Sequence, residues 1–303
     1  HGRTNIMLKV AAIQFAARNE AAQNVKKATE LGALAVERGA KLIAYPELCT
    51  SRWFPVSMRI GNFELAETIP GPSTDIICRF AADNNTVIVF PLFEKAKERH
   101  FYNSAAVVDA DGALLGVYRK VHLPNVKGWH EKFYFLPGDA GFPVFKSRVG
   151  TIGVQISWDV FFPESSRILA LKGARLIVAP TSNAFASQTK WERMIAGNAI
   201  SNGVFYLRAN RVGKEGSQAF YGKSFCMDPH GELLYKPAAR RDAVYLTDVD
   251  LGEVESARNE WALFRDRREY LYSSIMERMP GADNLGLPSG KYAGATYAAD
   301  KQS

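Results

Sequence analysis

Twice along the chain, apolar strand-like runs alternate with amphipathic helical stretches and then give way to strands joined at glycine-containing turns. In the first half, residues 8–15 read as a strand and 19–38 as a helix, with Ala22, Val25, Ala28, Leu31, Leu34 and Ala35 at helical spacing and Gly39 closing it. A strand over 41–47 follows, ending at Pro46, which cannot donate to a ladder. Then come a helix over 74–84, a strand over 86–93, and strands over 99–109 and 113–120 that turn at Asp111-Gly112. The second half repeats the plan. It has strands at 153–156, 175–180 and 204–210, helices at 163–172 and 191–202, a hairpin of 221–227 with 232–235, and a last strand at 243–249. No linker separates the halves. The pattern predicts one core in which two mixed sheets face each other with helices outside, an α/β four-layer α-β-β-α sandwich. We expect a single domain over 7–267, a tag remnant at 1–6, and a C-terminal extension at 268–303 that serves as an oligomer-contact arm or tail.

Composition narrows the function. The cysteines Cys49, Cys78 and Cys226 are odd in number and show no spacing pattern, which argues against a disulfide framework and fits a reducing, cytoplasmic setting. The histidines show no metal-ligand spacing, and no apolar run reaches the ~18 residues of a membrane span. The formal net charge of +7 comes from scattered Lys and Arg without a nucleic-acid-binding signature, so neither nucleic acid nor membrane is expected as a partner.

Three polar residues share one kind of position. Glu47, Lys120 and Ser157 each stand at the carboxyl end of an apolar strand, the edge where sites form in α/β sheets. Ser157 also lies between the strand ending at Ile156 and a helix opened by Pro163-Glu164, a setting that exposes a nucleophile beside backbone N–H groups. A carboxylate, an ammonium and a nucleophile-sized side chain converging there suit acyl transfer. Each residue type is equally at home as a solvated loop carboxylate, a surface lysine or a turn serine. The aromatic-rich segment 122–139 is too long for an idle loop.

Three blocks carry a resemblance: Tyr45-Pro46-Glu47, the stretch Tyr118-Arg119-Lys120-Val121-His122-Leu123, and the stretch from Ile156 through Ser157-Trp158-Asp159 to Pro163-Glu164. Together with Phe101-Tyr102-Asn103-Ser104, the 131–139 segment and the 220–225 segment, they resemble the signature blocks of the nitrilase superfamily of carbon–nitrogen hydrolases. The resemblance implies the same sandwich fold and a cysteine nucleophile at the position of Ser157. It also implies Glu47 as general base, Lys120 with the backbone N–H of Trp158 as oxyanion donors, and Glu131 as a second carboxylate near Lys120. No metal or organic cofactor is implied. A serine hydroxyl is far less acidic than a thiol, and glutamate is a weak base for it, so Ser157 reads as an inactivating replacement. Asp159 after the Ser-Trp pair, and the stretch from Gly128 to Phe135, are similar to the amidase and N-carbamoylputrescine amidase branch. The expected substrate is a linear amide or N-carbamoyl amine. Trp53, Tyr102, Trp129, Trp158, Asn183 and Trp191 are candidates to bind it, although aromatics pack wherever they are buried. Nitrile hydrolysis and a natural amide-binding protein without turnover are the alternatives. Family members pair, so a homodimer or larger homo-oligomer is expected, with 163–172 and the C-terminal arm as contacts.

Overall fold

The computed structural model describes residues 7–184 and 187–277. The expected tag remnant at 1–6 and residues 278–303 of the expected extension lie outside them. In chain order the strands are β1 (Met7–Gln14), β2 (Leu42–Ala44), β3 (Val87–Lys97), β4 (His100–Val108), β5 (Leu114–Arg119), β6 (Asn125–Val126), β7 (Trp129–His130), β8 (Val144–Ser147), β9 (Gly150–Val154), β10 (Leu176–Thr181), β11 (Phe205–Asn210), β12 (Val212–Glu215), β13 (Gln218–Tyr221), β14 (Phe225–Met227) and β15 (Ala243–Asp250). The helices are α1 (Ala21–Glu37), α2 (Pro72–Asn84), α3 (Glu131–Tyr134), α4 (Pro163–Leu171), α5 (Gln188–Asn202) and α6 (Glu253–Glu260).

Two mixed sheets form, ordered β15-β1-β2-β3-β4-β5 and β14-β11-β10-β9-β8. Strand alternation sorts the apolar residues into layers. Val10, Ala12, Val87 and Val89 face the second sheet and meet Ile152, Val154, Val178 and Leu207. Their neighbours Ala11, Ile13, Ile88 and Phe90 turn outward and pack with Val25 and Ala28 of α1 and Ile77 and Ala81 of α2. On the far side, Ile177, Ala179 and Tyr206 pack with Leu169 of α4 and Ile195 and Ala199 of α5. The result is an α-β-β-α sandwich.

The chain departs from the sequence reading in three places. The strand expected at 221–227 is broken, because Gly222 (φ +65°) and Lys223 (φ +55°) turn the backbone left-handed. Residues on either side of the break separate: β13 pairs with β12 in a ribbon of its own, and β14 joins β11. The expected partner of the hairpin, 232–235, contributes only the bridge Met227–Leu233. The last strand also leaves its half. β15 pairs antiparallel with β1, from Met7 opposite Asp250 to Gln14 opposite Ala243. Finally, β8 forms a hairpin with β9 across Gly150 (φ +110°), a strand the sequence reading did not find.

The parallel strands of both sheets end on the same edge. There the long segment after Lys120 folds back over the first sheet. It is tied down by Leu136 N–H to Phe101 O (2.9 Å) and Gly138 N–H to Lys120 O (2.8 Å). An aromatic cluster of Trp53, Phe54, Phe93, Trp129, Tyr134, Phe135 and Phe220 sits on this edge. No helix among the described residues is long and apolar enough to cross a membrane.

Candidate active site

Glu47 follows β2, Lys120 follows β5, and Glu131 is the first residue of α3. All three are buried. The Lys120 ammonium has three N–H bonds to give. It contacts Glu47 Oε1 at 2.7 Å, Glu131 Oε2 at 2.7 Å and Glu131 Oε1 at 2.9 Å. Glu47 Oε1 also accepts Asn103 Nδ2 at 2.8 Å. The other carboxylate oxygen, Glu47 Oε2, is buried and has no hydrogen-bond partner among the described residues.

Two carboxylates around one ammonium, away from water, favour retaining a proton. Burial pushes the Glu131 carboxyl up to about 8, against the pull of Lys120 and with a further push from Glu47. For Lys120, burial alone would favour the neutral amine, but Glu131 and Glu47 outweigh it and raise the ammonium to about 12. The lysine therefore stays charged across the physiological range.

Ser157 opens a single 3-10 turn (Ser157–Phe161) between β9 and α4. Its φ is +49°, a left-handed conformation that costs a non-glycine residue about 1–3 kcal/mol and persists only where the surroundings enforce it. The enforcing group is Asp159, which is fully buried. Its Oδ2 accepts Ile156 N–H at 3.0 Å and Tyr118 OH at 2.6 Å, and its Oδ1 accepts His122 N–H at 2.9 Å. His122 Nδ1 lies 2.8 Å from the same Oδ1, with its ring stacked on Phe162. One carboxylate thus ties residues flanking Ser157 to residues flanking Lys120. The Ser157 hydroxyl has no hydrogen-bond partner among the described residues.

Neither buried thiol can stand in for it. Cys49 lies two residues from Glu47, but it is buried, its Sγ donates to Pro91 O (3.1 Å), and burial raises its pKa. Burial likewise raises the Cys226 thiol.

The sequence and the fold are matched by known proteins. A family profile described as Carbon-nitrogen hydrolase matches residues 9–259. The chain belongs to that family. Within the nitrilase superfamily of amidohydrolases, it is 37% identical over 288 residues to an N-carbamoylputrescine amidase of Solanum lycopersicum, covering 90% of this chain and 96% of that protein. It is 35% identical over 283 residues to a citrullinase of Francisella tularensis, covering 89% and 99% respectively. The crystal structure of a carbon-nitrogen hydrolase from Helicobacter pylori G27 superposes with a TM-score of 0.86 at 32% identity, covering 90% of this chain and 99% of that one.

The candidates for substrate binding in this carbon–nitrogen hydrolase divide. Trp53 and Trp129 lie in the aromatic cluster with Leu48, the residue after Glu47; their ring centroids are 5.9 Å apart. Asn183 follows Ser182, whose Oγ donates to Glu47 O at 3.0 Å. Trp158 is 38% exposed. Tyr102 does not join them. It neighbours Asn103 on β4, so alternation turns it to the opposite face, where its OH donates to Asp139 and Arg119 covers its ring. Trp191 is packed in the core of the second sheet and its helices, between Phe161 and Arg208. Asn103 and Ser182, which touch Glu47 directly, were not singled out from the sequence. The available signal was a polar side chain on a buried strand for Asn103, and a position just past the carboxyl end of β10 for Ser182.

Proposed function

We propose that the chain carries the machinery to hydrolyse a linear amide or an N-carbamoyl amine through a thioester, and that Ser157 in place of cysteine leaves that machinery without its nucleophile. The supporting observation is the division of labour within Glu47: one oxygen is pinned by Lys120 and Asn103, and the other is buried and unpartnered. An unengaged carboxylate oxygen in a dry site is what a general base requires.

With cysteine at 157, Glu47 Oε2 takes the thiol proton as sulfur attacks the carbonyl carbon. The oxyanion develops beside Lys120 and the N–H of Trp158, which stands at the start of a turn where amides have no acceptor within the helix. As the intermediate collapses, the carbon–nitrogen bond breaks and the leaving amine takes the proton from Glu47. Water then gives its proton to Glu47 and attacks the thioester, releasing the acid and restoring the thiol. Glu131 holds Lys120 in place and keeps the site near electrical neutrality. Trp53, Trp129, Trp158 and Asn183 bound the substrate.

The N-carbamoyl assignment draws on the relatives, whose names denote hydrolysis of N-carbamoylputrescine and of citrulline, both N-carbamoyl amines. One observation favours a second reading. Ser157 itself, with the buried Glu47–Lys120–Glu131 cluster kept, suits a protein that holds an amide or amine without turnover. Ammonia release by the chain and by Ser157→Cys, over aliphatic amides, N-carbamoyl amines and nitriles, decides between them. Turnover only by the cysteine variant is expected. Equal turnover by the serine form overturns the thioester reading, and silence from both favours the binding role.

A further inference from the structure

The segment bearing Glu47 is held from the opposite sheet. Arg211 follows β11 in the second sheet, and its side chain is buried. A guanidinium has five N–H donors in a planar fork. Nε donates to Ser182 Oγ at 3.1 Å. Nη1 donates to Ser51 O at 2.9 Å and to Glu215 Oε1 at 2.8 Å. Nη2 donates to Glu47 O at 3.0 Å and to Leu48 O at 2.8 Å. Every donor direction is used, and three of the acceptors are backbone carbonyls of the strap 47–51.

The strap has its own bond from Ser51 N–H to Leu48 O (3.2 Å) and a tie from Cys49 N–H to Pro91 O (3.1 Å), and Arg211 adds the links to the second sheet. Leu48 has φ +49°, a left-handed conformation unfavourable for a residue of its bulk. Carbonyls 47, 48 and 51 converge on the guanidinium, which donates to all three. Two contacts reinforce the arrangement. Ser182 Oγ donates to the Glu47 carbonyl that Arg211 also binds, and Glu215 Oε2 accepts Trp53 N–H at 2.5 Å, fixing the far end of the strap. The Arg211–Glu215 ion pair is buried on both sides, so solvent and salt screen it little.

We propose that Arg211, anchored by Glu215, is the positioning residue that aims the Glu47 carboxylate at the side chain of residue 157. This rests on the reading of Glu47 as the general base. Arg211 touches no substrate. It sets the direction of Cα–Cβ at Glu47 by fixing the peptide on its carboxyl side, while Lys120 and Asn103 fix the carboxylate end. Lysine cannot replace it, because a compact ammonium with three donors cannot reach five acceptors spread over three separate stretches of chain.

The test uses the full chain carrying Ser157→Cys and Cys78→Ser, so that the remaining native thiols, Cys49 and Cys226, are buried. Into this background go Arg211→Lys, Glu215→Gln and, as reference, Glu47→Gln. Two readouts are taken: kcat and KM on an N-carbamoyl amine, and the pH dependence with which iodoacetamide alkylates the thiol introduced at position 157. Circular dichroism melting checks that each variant folds. A misaimed base lowers kcat by roughly 10- to 100-fold with KM little changed. The alkylation profile of Arg211→Lys moves toward that of Glu47→Gln, because the base no longer faces the thiol, and Glu215→Gln falls between parent and Arg211→Lys. A folded Arg211→Lys with parental kcat and parental alkylation profile overturns the proposal. So does a loss of activity with an unmoved profile, which would mean a merely structural role. If the parent turns over nothing, the functional reading falls, yet the profile still decides the geometry. Should Arg211→Lys fail to fold, Glu215→Gln carries the same comparison.

Discussion

Asp159→Asn removes one charge and no volume, and the structure fixes what that costs. The carboxylate receives Ile156 N–H and Tyr118 OH on Oδ2, and His122 N–H with His122 Nδ1 on Oδ1. An asparagine keeps one acceptor and presents an NH2 in place of the other. If the amide oxygen faces Ile156, the NH2 meets His122 N–H; if it is flipped, the NH2 meets Ile156 N–H. Tyr118 can rotate its hydroxyl and a neutral His122 can accept at Nδ1, but neither backbone N–H can adapt. Each orientation therefore strands one buried backbone donor, costing about 1–3 kcal/mol, and turns the surviving contacts from charge-assisted to neutral bonds. A total of about 2–4 kcal/mol lowers the melting temperature by roughly 5–12 °C in a domain of this size. Because Ile156 and Asp159 bracket residue 157, the turn relaxes as well, and in the Ser157→Cys background kcat falls by roughly 100-fold. Calorimetry and steady-state kinetics on the two proteins check both numbers. An Asp159→Asn protein that melts with the parent and keeps its kcat would refute the claim that this carboxylate enforces the left-handed residue 157.

Glu131 gives a prediction about pH. Its folded pKa of about 8 lies above its ordinary value of 4.5, so its contribution to stability is complete below about pH 4.5 and is lost as pH rises toward and through 8. Between these limits the parent should lose stability relative to Glu131→Gln, read as a narrowing difference in denaturant midpoint; a pH-independent difference would contradict it. Gly138→Ala places a Cβ 2.1 Å from Arg119 O, so the backbone beside Lys120 must move. A loss of about 1–3 kcal/mol, measured by urea unfolding, is expected, and a neutral substitution would show that the segment is slack. The turn Glu269–Met276 exposes Tyr270, Leu271, Ile275 and Met276. Light scattering should find a homodimer or larger, and Leu271→Glu with Ile275→Glu should shift it toward monomer.

Glu47, Lys120 and Ser157 were legible because each stands past the carboxyl end of an apolar strand, a position whose chemistry follows from sheet geometry. Glu131 lies in an irregular segment, and only its resemblance to a family block marked it. Arg211 was invisible, since its meaning lies in carbonyls more than 160 positions earlier in the chain, and carbonyls leave no trace in a sequence. Tyr102 and Trp191 were chosen for being aromatic, and alternation on β4 and packing under α5 sent them elsewhere. The layers followed from periodicity, but the destination of β15 did not: an apolar strand specifies that it pairs, not with which edge.

That destination matters while the protein is being made. β1 leaves the ribosome long before its outer neighbour, because that edge is covered only by β15, the last strand of either sheet among the described residues. At about 5–20 residues per second, some 10–50 s pass between their syntheses. Throughout that interval Met7–Gln14, mostly apolar and with its backbone groups unpaired on one side, is an open template for any passing strand. The first half cannot close its own sheet, however early it collapses. Nascent chains truncated before residue 243 should therefore be the species that chaperones retain and that aggregate at high expression.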